Sequence, residues 1–356
     1  MRNKMWSMKN LASSFLGLLL LSILLSPDAS AMDKLRLSLQ PTPDCFVVWR
    51  IINEGLDKKA GLDLEMIYAD SGMSQIEALP AKVWDLANLG GVPMLMGALR
   101  YKAYMIALSA NDGYNNMVMV RPNSPILKTK GANSEFPDLY GSSELVKGKT
   151  VLVPTVTSAH YALSGTLKAL GLMDKDVVLQ NMEPGQAVAA FDSGVGDMIS
   201  VWVPFSLTGV KKGWKMVADG AMTRSSVPLV WTTPREFGDK NPELVKKFML
   251  LYFQEIERYQ NELRNDKAAL VPKVRKVFKD WGGMDMTEEM VSMMLDTYKM
   301  YDLKQNIQML DDSKGKSEAF TMMKSVADFF TENKRFTPEQ REQVLNTDYI
   351  TAKFLK

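Results

Sequence analysis

The stretch Val153 to Gly165 reads VPTVTSAHYALSG and holds His160, the only histidine among 356 residues. An imidazole can transfer protons, ligate a metal or donate a hydrogen bond. A zinc site takes several His, Cys or carboxylate ligands, and this chain has one His and one Cys, Cys45; no metal site is expected. Ser158 lies two residues from His160, and on a helix neighbours at that spacing do not face each other, which argues against a Ser-His pair. No Gly-x-Ser-x-Gly elbow is present. GVGDM, Gly194 to Met198, lacks the third glycine of a dinucleotide loop and has an acid where a helix would begin. These residue types point to binding without turnover and without a cofactor. In that reading His160 donates to a bound molecule or braces its loop.

Binding without reaction needs convergent donors. The first amides of a helix have no partner inside it, and the helix dipole favours an anion there. Three segments offer such amides: Ser71-Gly72-Met73, Gly90-Gly91-Val92 and Thr157-Ser158-Ala159-His160. Each follows a strand-like run, so all three would open on one crevice. Gly72, Gly90 and Gly91 let a ligand approach the main chain.

The elements that must position them alternate. LRLSL from Leu35 is β-like, and CFVVWRIINEGLDKKAG reads as a helix closed by Gly61. LDLEMIY, a helix capped by Ser71, DLANLGG and VPMLMGALR continue the alternation, followed by YKAYMIALSA and NNMVMVRP as strands. Residues 122–149 read as loop. The alternation then restarts with GKTVLVP, TSAHYALSGTLKALG, DVVLQNM, GQAVAAFDSG and DMISVW. Strand-helix alternation predicts parallel α/β sheets. Laying Asp85 on Asp197 brings SQIEALPAKVWDLANL onto QAVAAFDSGVGDMISV, a faint repeat of helix, tight turn, acid and buried strand. SVPLVWTT adds one more strand; beyond Pro234 the chain is helical, with starts at Asn241-Pro242-Glu243, Thr287-Glu288-Glu289 and Thr337-Pro338-Glu339-Gln340.

Residues 1–31 read as an export signal: a basic start with Arg2, Lys4 and Lys9, an apolar run from Leu11 to Leu25, and Ala29-Ser30-Ala31. A mature chain from Met32, in the periplasm, is expected. No cysteine sits at the cut, so no lipid anchor is expected. The chain has 43 Lys and Arg against 41 Asp and Glu. The leader holds three of those bases and one of the acids, leaving 40 of each. A balanced mature chain has no global field to draw it to nucleic acid. One cysteine allows no internal disulfide. The length suits two domains.

These segments, in this order, resemble the substrate-binding proteins of ABC importers that serve nitrate, taurine, alkanesulfonates and the thiamin pyrimidine. The resemblance is carried by LRLSLQPTPD, GLDKKAGLDLEMIYADSGMSQIEAL, VRPNSPI, LVKGKTVLVPTVTSAHYALSGTLKALGL, AVAAFDSGVGDMISVWVPF, FGDKNPELVKKF, MTEEMVSMM and FFTENKRFTPEQ, over nearly the whole mature chain. It implies an α/β, two-lobed periplasmic-binding-protein fold of type II with a helical C-terminal part. Lobe one would be 32–121 plus 226–356, and lobe two 122–225. It implies a small solute held between lobes that close on a hinge, delivery to an ABC permease, and a monomer that is not an enzyme. The Ser-Ala-His-Tyr run of the family matches Ser158 to Tyr161. Gln40 stands where the family places a polar ligand contact, and Trp202 where it places an aromatic. Many relatives carry an acid between that tryptophan and the proline; here it is Val203, which favours an anionic or neutral solute of the sulfonate, taurine or nitrate kind. Asn111, Tyr114 and Trp49 are further candidates. Two other functions fit the same fold. One is a thiamin-pyrimidine synthase, which would use a cysteine-rich run and a histidine cluster that this chain lacks; the other is a sensory solute-binding ectodomain. The polar loop 128–140 is longer than the family suggests, and reads as a permease contact or an insertion.

Overall fold

A computed structural model describes residues 32–356; the expected export signal lies outside the described residues. The chain opens with strand β1 (Asp33–Leu39), helices α1 (Pro43–Asn53) and α2 (Leu56–Lys59), β2 (Leu62–Tyr68), α3 (Gly72–Ala78), β3 (Leu86–Gly90), α4 (Gly91–Tyr101) and β4 (Tyr104–Asn111). In β1, Leu35, Leu37 and Leu39 are fully buried while Lys34 is exposed, the period-two pattern of a half-covered strand. The helix expected to run to Gly61 is broken by Gly55, whose φ of 65° ends α1; a residue without Cβ takes that conformation without cost.

Next come β5 (Asn116–Val120), α5 (Ser143–Val146), β6 (Thr150–Val153), α6 (Ser158–Ala169), β7 (Val178–Asn181), α7 (Pro184–Asp192), β8 (Met198–Trp202), α8 (Phe205–Lys211), β9 (Lys215–Asp219) and β10 (Pro228–Thr233). The remainder is helical: α9 (Arg235–Lys240), α10 (Pro242–Asn265), α11 (Lys267–Asp280), α12 (Glu288–Thr297), the short β11 (Lys299–Met300), α13 (Leu303–Met309), α14 (Glu318–Glu332) and α15 (Pro338–Asn346).

The strands form two sheets, ordered β11-β4-β10-β3-β1-β2 and β7-β6-β8-β5-β9. This is the two-sheet α/β periplasmic-binding-protein fold, with a helix-rich C-terminal region. The sheets are mixed, where alternation alone predicts parallel ones. β1 runs parallel to β3, and β6 to β7 and β8. β10 and β5 run antiparallel to their neighbours, because these strands arrive from the other sheet without a crossover helix. β5 pairs in the second sheet, so by strand pairing the chain crosses between Asn111 and Asn116, ahead of the boundary expected at residue 121.

The faint repeat has a physical basis. Asp85 N donates to Arg36 O (2.9 Å) and Arg36 N to Asp85 Oδ2 (2.9 Å); Asp197 N donates to Thr150 O (2.8 Å) and Thr150 N to Asp197 Oδ2 (2.9 Å). Each acid stands just ahead of β3 or β8 and satisfies an amide of the parallel strand beside it, in mid-strand at Arg36 and at the strand start at Thr150. Alternate residues of the second sheet build its two faces: Val118, Val120, Val151 and Val153 join one apolar cluster, and Met119, Leu152, Ile199 and Val201 another.

α10 buries Val245, Phe248, Tyr252, Ile256 and Tyr259 in the core of the first sheet, each worth roughly 1.5–3 kcal/mol as area removed from water. Its expected cap, Asn241, holds the N-cap position but turns its side chain back to Phe237 O (3.0 Å). Thr287 and Thr337 do cap their helices, the latter with Gln340 in a capping box. The 128–140 loop is closed and anchored. Gly131 N donates to Leu139 O (2.8 Å), Asn133 Nδ2 reaches Ala169 O (2.8 Å), and Leu139 is buried. Among the described residues no helix is long and apolar enough to cross a membrane.

Candidate functional site

Where the chain leaves the first sheet, strand ends and helix starts converge on a small cavity. The first sheet contributes Gln40 and Thr42 after β1, Gly72 after β2, and Gly90 and Pro93 after β3. The second contributes Thr157 and Ser158 after β6, and Trp202 and Val203 after β8. Asp112 from the crossing, Leu229 from β10 and Tyr298, which follows α12, complete the wall. The cavity has a volume of about 20 Å³, room for about one water molecule, so the sheets stand closed on each other.

Three helices of two or more turns start at this wall: α1 after Thr42, α4 after Gly90 and α6 after Thr157. Their first-turn amides lack helical partners. Neither Thr42 nor Gly90 supplies a side-chain cap, whereas Thr157 Oγ1 accepts from His160 N (3.4 Å) and donates to Pro154 O (2.6 Å). Gly90 is a close approach between the sheets, since a Cβ there would stand 2.5 Å from Ser158 Oγ. Trp202 is 7% exposed, and its indole N–H has no partner.

Of the residues the sequence singled out, Gln40, Gly72, Gly90, Thr157, Ser158 and Trp202 share this wall. Ser71 does not. It exchanges hydrogen bonds with Ser74 at the start of α3 and donates to Glu183 Oε1 (3.3 Å), the N-cap of α7. Gly91 is turned away, with Met323 and Pro228 as the neighbours a Cβ would meet. Asn111 accepts from Gly113 N (2.9 Å) within the crossing, Tyr114 is half exposed, and Trp49 packs on the core of the first sheet; none is on the wall.

His160 is not on the wall either; of the two roles open to it, bracing is the one its contacts fit. It is fully buried. Its Nε2 meets Asp174 Oδ2 at 2.8 Å, its Nδ1 accepts from Val156 N at 3.1 Å, and its ring packs edge-on against Phe330. An accepting Nδ1 leaves the proton on Nε2, facing Asp174. Val156 has φ of 59°, costly for a β-branched residue, and the imidazole holds that turn just ahead of Thr157 and Ser158. Ser164 Oγ donates to Asp174 Oδ1 (2.6 Å). Burial pushes the Asp174 pKa up, but hydrogen bonds from His160 and Ser164, with the charge of Arg335 at 3.9 Å, hold it below the ordinary carboxylate value. Ser, His and Asp do meet here, in a brace that lies off the cavity wall, with the Asp174 side chain 8% exposed.

Sequence reasoning missed Asp112, Thr42 and Tyr298. Asp112 is 4% exposed. Burial pushes its pKa up to about 7, against hydrogen bonding from Asn116 and Ser158, and the charge of Asp44 adds to the rise. Asp44, fully buried at the start of α1, accepts from Tyr252 OH (2.7 Å) and from Tyr298 OH. Burial raises its pKa too, with Tyr298, Tyr252 and Ser109 opposing. The sequence signal for Asp112 was its place in Asn-Asp-Gly at the end of a strand; Tyr298, remote in the chain, carried none. Among the described residues no group of three or more His, Cys, Asp or Glu is placed to hold a metal ion. The wall offers main-chain amides, hydroxyls, one carboxamide, one indole N–H and one carboxyl group.

No family model matches the chain. An ABC transporter periplasmic binding protein of Brachyspira hyodysenteriae is 31% identical over 194 residues, 54% of this chain and 55% of that protein. The taurine-binding periplasmic protein of Escherichia coli is 29% identical over 198 residues, 54% of this chain and 56% of that one. The matches thus span about half the length of these relatives. The alkanesulfonate-binding protein of Xanthomonas axonopodis pv. citri, solved with MOPS bound, superposes with a TM-score of 0.71 at 18% identity, over 91% of this chain and 99% of that one.

Proposed function

Because this chain belongs to the sulfonate, taurine and nitrate family of ABC-type periplasmic substrate-binding proteins, we propose that it captures a small solute between two lobes in the periplasm. It would deliver that solute, chemically unchanged, to an ABC permease. The observation that carries the reading is the cavity itself. It lies at the strand ends, between the sheets, with Gln40, Gly72 and Gly90 from one and Thr157, Ser158 and Trp202 from the other. A solute touching both walls favours the closed form over the open one by its differential contacts. The lobes would divide at the sheet crossings: one is built on the first sheet and the C-terminal helices, the other on the second sheet. With room for about one water in the closed form, entry of an organic solute requires the sheets to part.

The helix starts after Gly90 and Thr157 and the indole N–H of Trp202, which has no partner, supply donors for an acceptor-bearing group of the sulfonate, carboxylate or nitrate kind. The test is a thermal-shift and calorimetric panel of taurine, alkanesulfonates, nitrate and small carboxylates. A true solute raises the melting temperature by mass action, about 2.7 kcal/mol of stabilisation at a hundredfold excess over Kd. Turnover of a panel compound by the purified protein would overturn the passive reading.

A further inference from the structure

Helix α14 belongs with the half built on the first sheet. It lies along α4 and α15 and buries Ala319, Met323, Val326 and Ala327 in the core of that half. Met323 Sδ is 3.2 Å from where a Cβ on Gly91, at the start of α4, would stand. The last turn of α14 does more than pack on its own half, because Phe329 and Phe330 also meet α6 of the other. Tyr161 stands edge-on to Phe329, with ring centroids 4.7 Å apart, and stacks on Phe330 at 6.3 Å; the His160 ring meets Phe330 at 5.7 Å. Tyr161 is carried by a helix of the second half, yet it joins the apolar cluster of the first sheet and is 7% exposed. Two ion pairs flank the rings and run the same way: Lys168 Nζ of α6 lies 2.9 Å from Glu332 Oε2, and Arg335 Nε, just past α14, lies 3.9 Å from Asp174 Oδ2.

None of these residues lines the cavity. A solute enters only when the sheets part, and with α14 fixed on α4 that motion draws Tyr161 and His160 away from the two phenylalanines. Aromatic side chains bury roughly 150–250 Å² each, so parting returns a large apolar area to water. We infer that the last turn of α14 is a clasp: Phe329 and Phe330 grip Tyr161 and His160, hold the two halves together without solute, and set how often the cavity opens. This rests on the solute-capture reading above and goes beyond it, since the grip belongs to the protein alone. The clasp acts equally on the empty and the filled closed form. Weakening it therefore speeds entry and release together, and leaves affinity nearly unaltered while the empty protein stays mostly closed. The His160–Asp174 brace gains a second task, because the same imidazole that holds the Val156 turn presents its face to Phe330.

The experiment uses the purified protein without solute. Solution scattering should find the unmutated protein compact, with the radius of gyration of the closed structure. Hydrogen exchange at the cavity-wall amides of Gly90 and Ser158 then reads the parted population, since parting the sheets opens them to water. Tyr161→Ala removes the ring that both phenylalanines touch and should speed that exchange by roughly tenfold. Glu332→Lys sets two lysines face to face at an exposed pair and should speed it by up to about fivefold, an effect that molar salt cancels. Adding Lys168→Glu to that variant should restore the slow exchange. The charge variants should melt as the unmutated protein does, so they decide the matter even if Tyr161→Ala fails to fold. Exchange at the wall that stays unchanged in the variants would overturn the clasp, as would faster exchange confined to the last turn of α14 or an unmutated protein that scatters as an open form. No solute enters the measurement, so a solute panel without a binder would fault capture and leave the clasp standing.

Discussion

Ahead of β3, Asp85 trades hydrogen bonds with Arg36; ahead of β8, Asp197 does the same with Thr150. The register that lays these acids on each other also lays Ser71 on Glu183, the N-caps of α3 and α7, which touch across the two sheets at 3.3 Å. It lays Gly90 on Trp202, and both line the cavity. The scaffold of the two halves is thus alike while the chemistry they show the hollow differs. The first half offers main chain at Gly72 and Gly90, together with the acid at its exit. The second offers an indole and two hydroxyls. The helix starts at the hollow also differ. α6 is held at its start by Thr157 and by the His160–Asp174 brace, whereas α1 and α4 begin without a side-chain cap. One half fixes its donors with side chains, and the other gains close approach by having none.

Removing the brace should have the largest effect. Asp174→Ala leaves His160 Nε2 without its acceptor, while Ser164 Oγ keeps only its bond to His160 O (3.0 Å), and should cost about 3 kcal/mol, read as a lower urea midpoint. The folded pKa of Asp174 is depressed, so its contribution is present above the unfolded carboxylate pKa, about 3.9, and is lost as pH falls through the folded value. The gap between the unmutated protein and the variant should close only in that acid range. An unchanged midpoint at pH 7 would break the contrast between a braced half and an open one.

Asp112 should behave with the opposite sign. Its pKa is raised to about 7, so the closed protein binds more protons than the unfolded chain between about pH 4 and 7. Solute-free stability should fall as pH rises through that window and level off above it. Asp112→Asn should flatten this slope, and melts across pH 4 to 8 would reveal it. A slope that persists in the variant would place the titrating group elsewhere.

Gly90→Ala tests the close approach. Gly90 has φ of −68°, so alanine fits the backbone and only space is at issue. Its Cβ would stand 2.5 Å from Ser158 Oγ and should prop the sheets apart. The expected outcome is a near-normal melting temperature, a larger radius of gyration in solution scattering, and binding weaker by about tenfold, the cost of modest overpacking. Ser158→Ala in the same chain should restore compactness. Equal compactness of Gly90→Ala and the unmutated protein would show that the two helix starts do not set the closed distance.

Alternation of strand and helix was enough to read α/β sheets, since each βα step is a local pattern of period two giving way to period 3.6; the division into two lobes came from the family resemblance. The mixed strand directions were not legible, because crossing strands such as β5 and β10 look like any other apolar run. Of the residues on the cavity wall, Gly72, Gly90, Thr157 and Ser158 were singled out from their place just after strands, and Gln40 from the family resemblance. His160 was misplaced because a sequence shows that a histidine exists near a helix start, but not that Asp174, fourteen residues on, folds back to claim it. Asp112 was missed because its neighbours looked like a turn, and a turn residue becomes a buried acid only when the second sheet covers it.

The finest test separates the matched acids themselves. Asp85 accepts from Arg36 N, from Nε at 3.1 Å and from Nη2 at 2.7 Å, with its side chain 10% exposed. Asp197 accepts from Thr150 N, lies 3.6 Å from Lys149 Nζ, and its side chain is 45% exposed. Water can replace what Asp197 gives to Thr150, and it reaches the Arg36 side chain, which is 35% exposed, but it reaches the Asp85 carboxylate poorly. Asp197→Ala should therefore cost about 1 kcal/mol or less, and Asp85→Ala about 1–3 kcal/mol. The difference should shrink in part in high salt, because the Arg36 side chain is 35% exposed while the Asp85 carboxylate is 10% exposed. Equal costs would mean that the shared main-chain exchange carries the whole role and that burial adds nothing. A larger cost at Asp197 would mean that the second sheet depends on its acid more than the first, reversing the order that exposure implies.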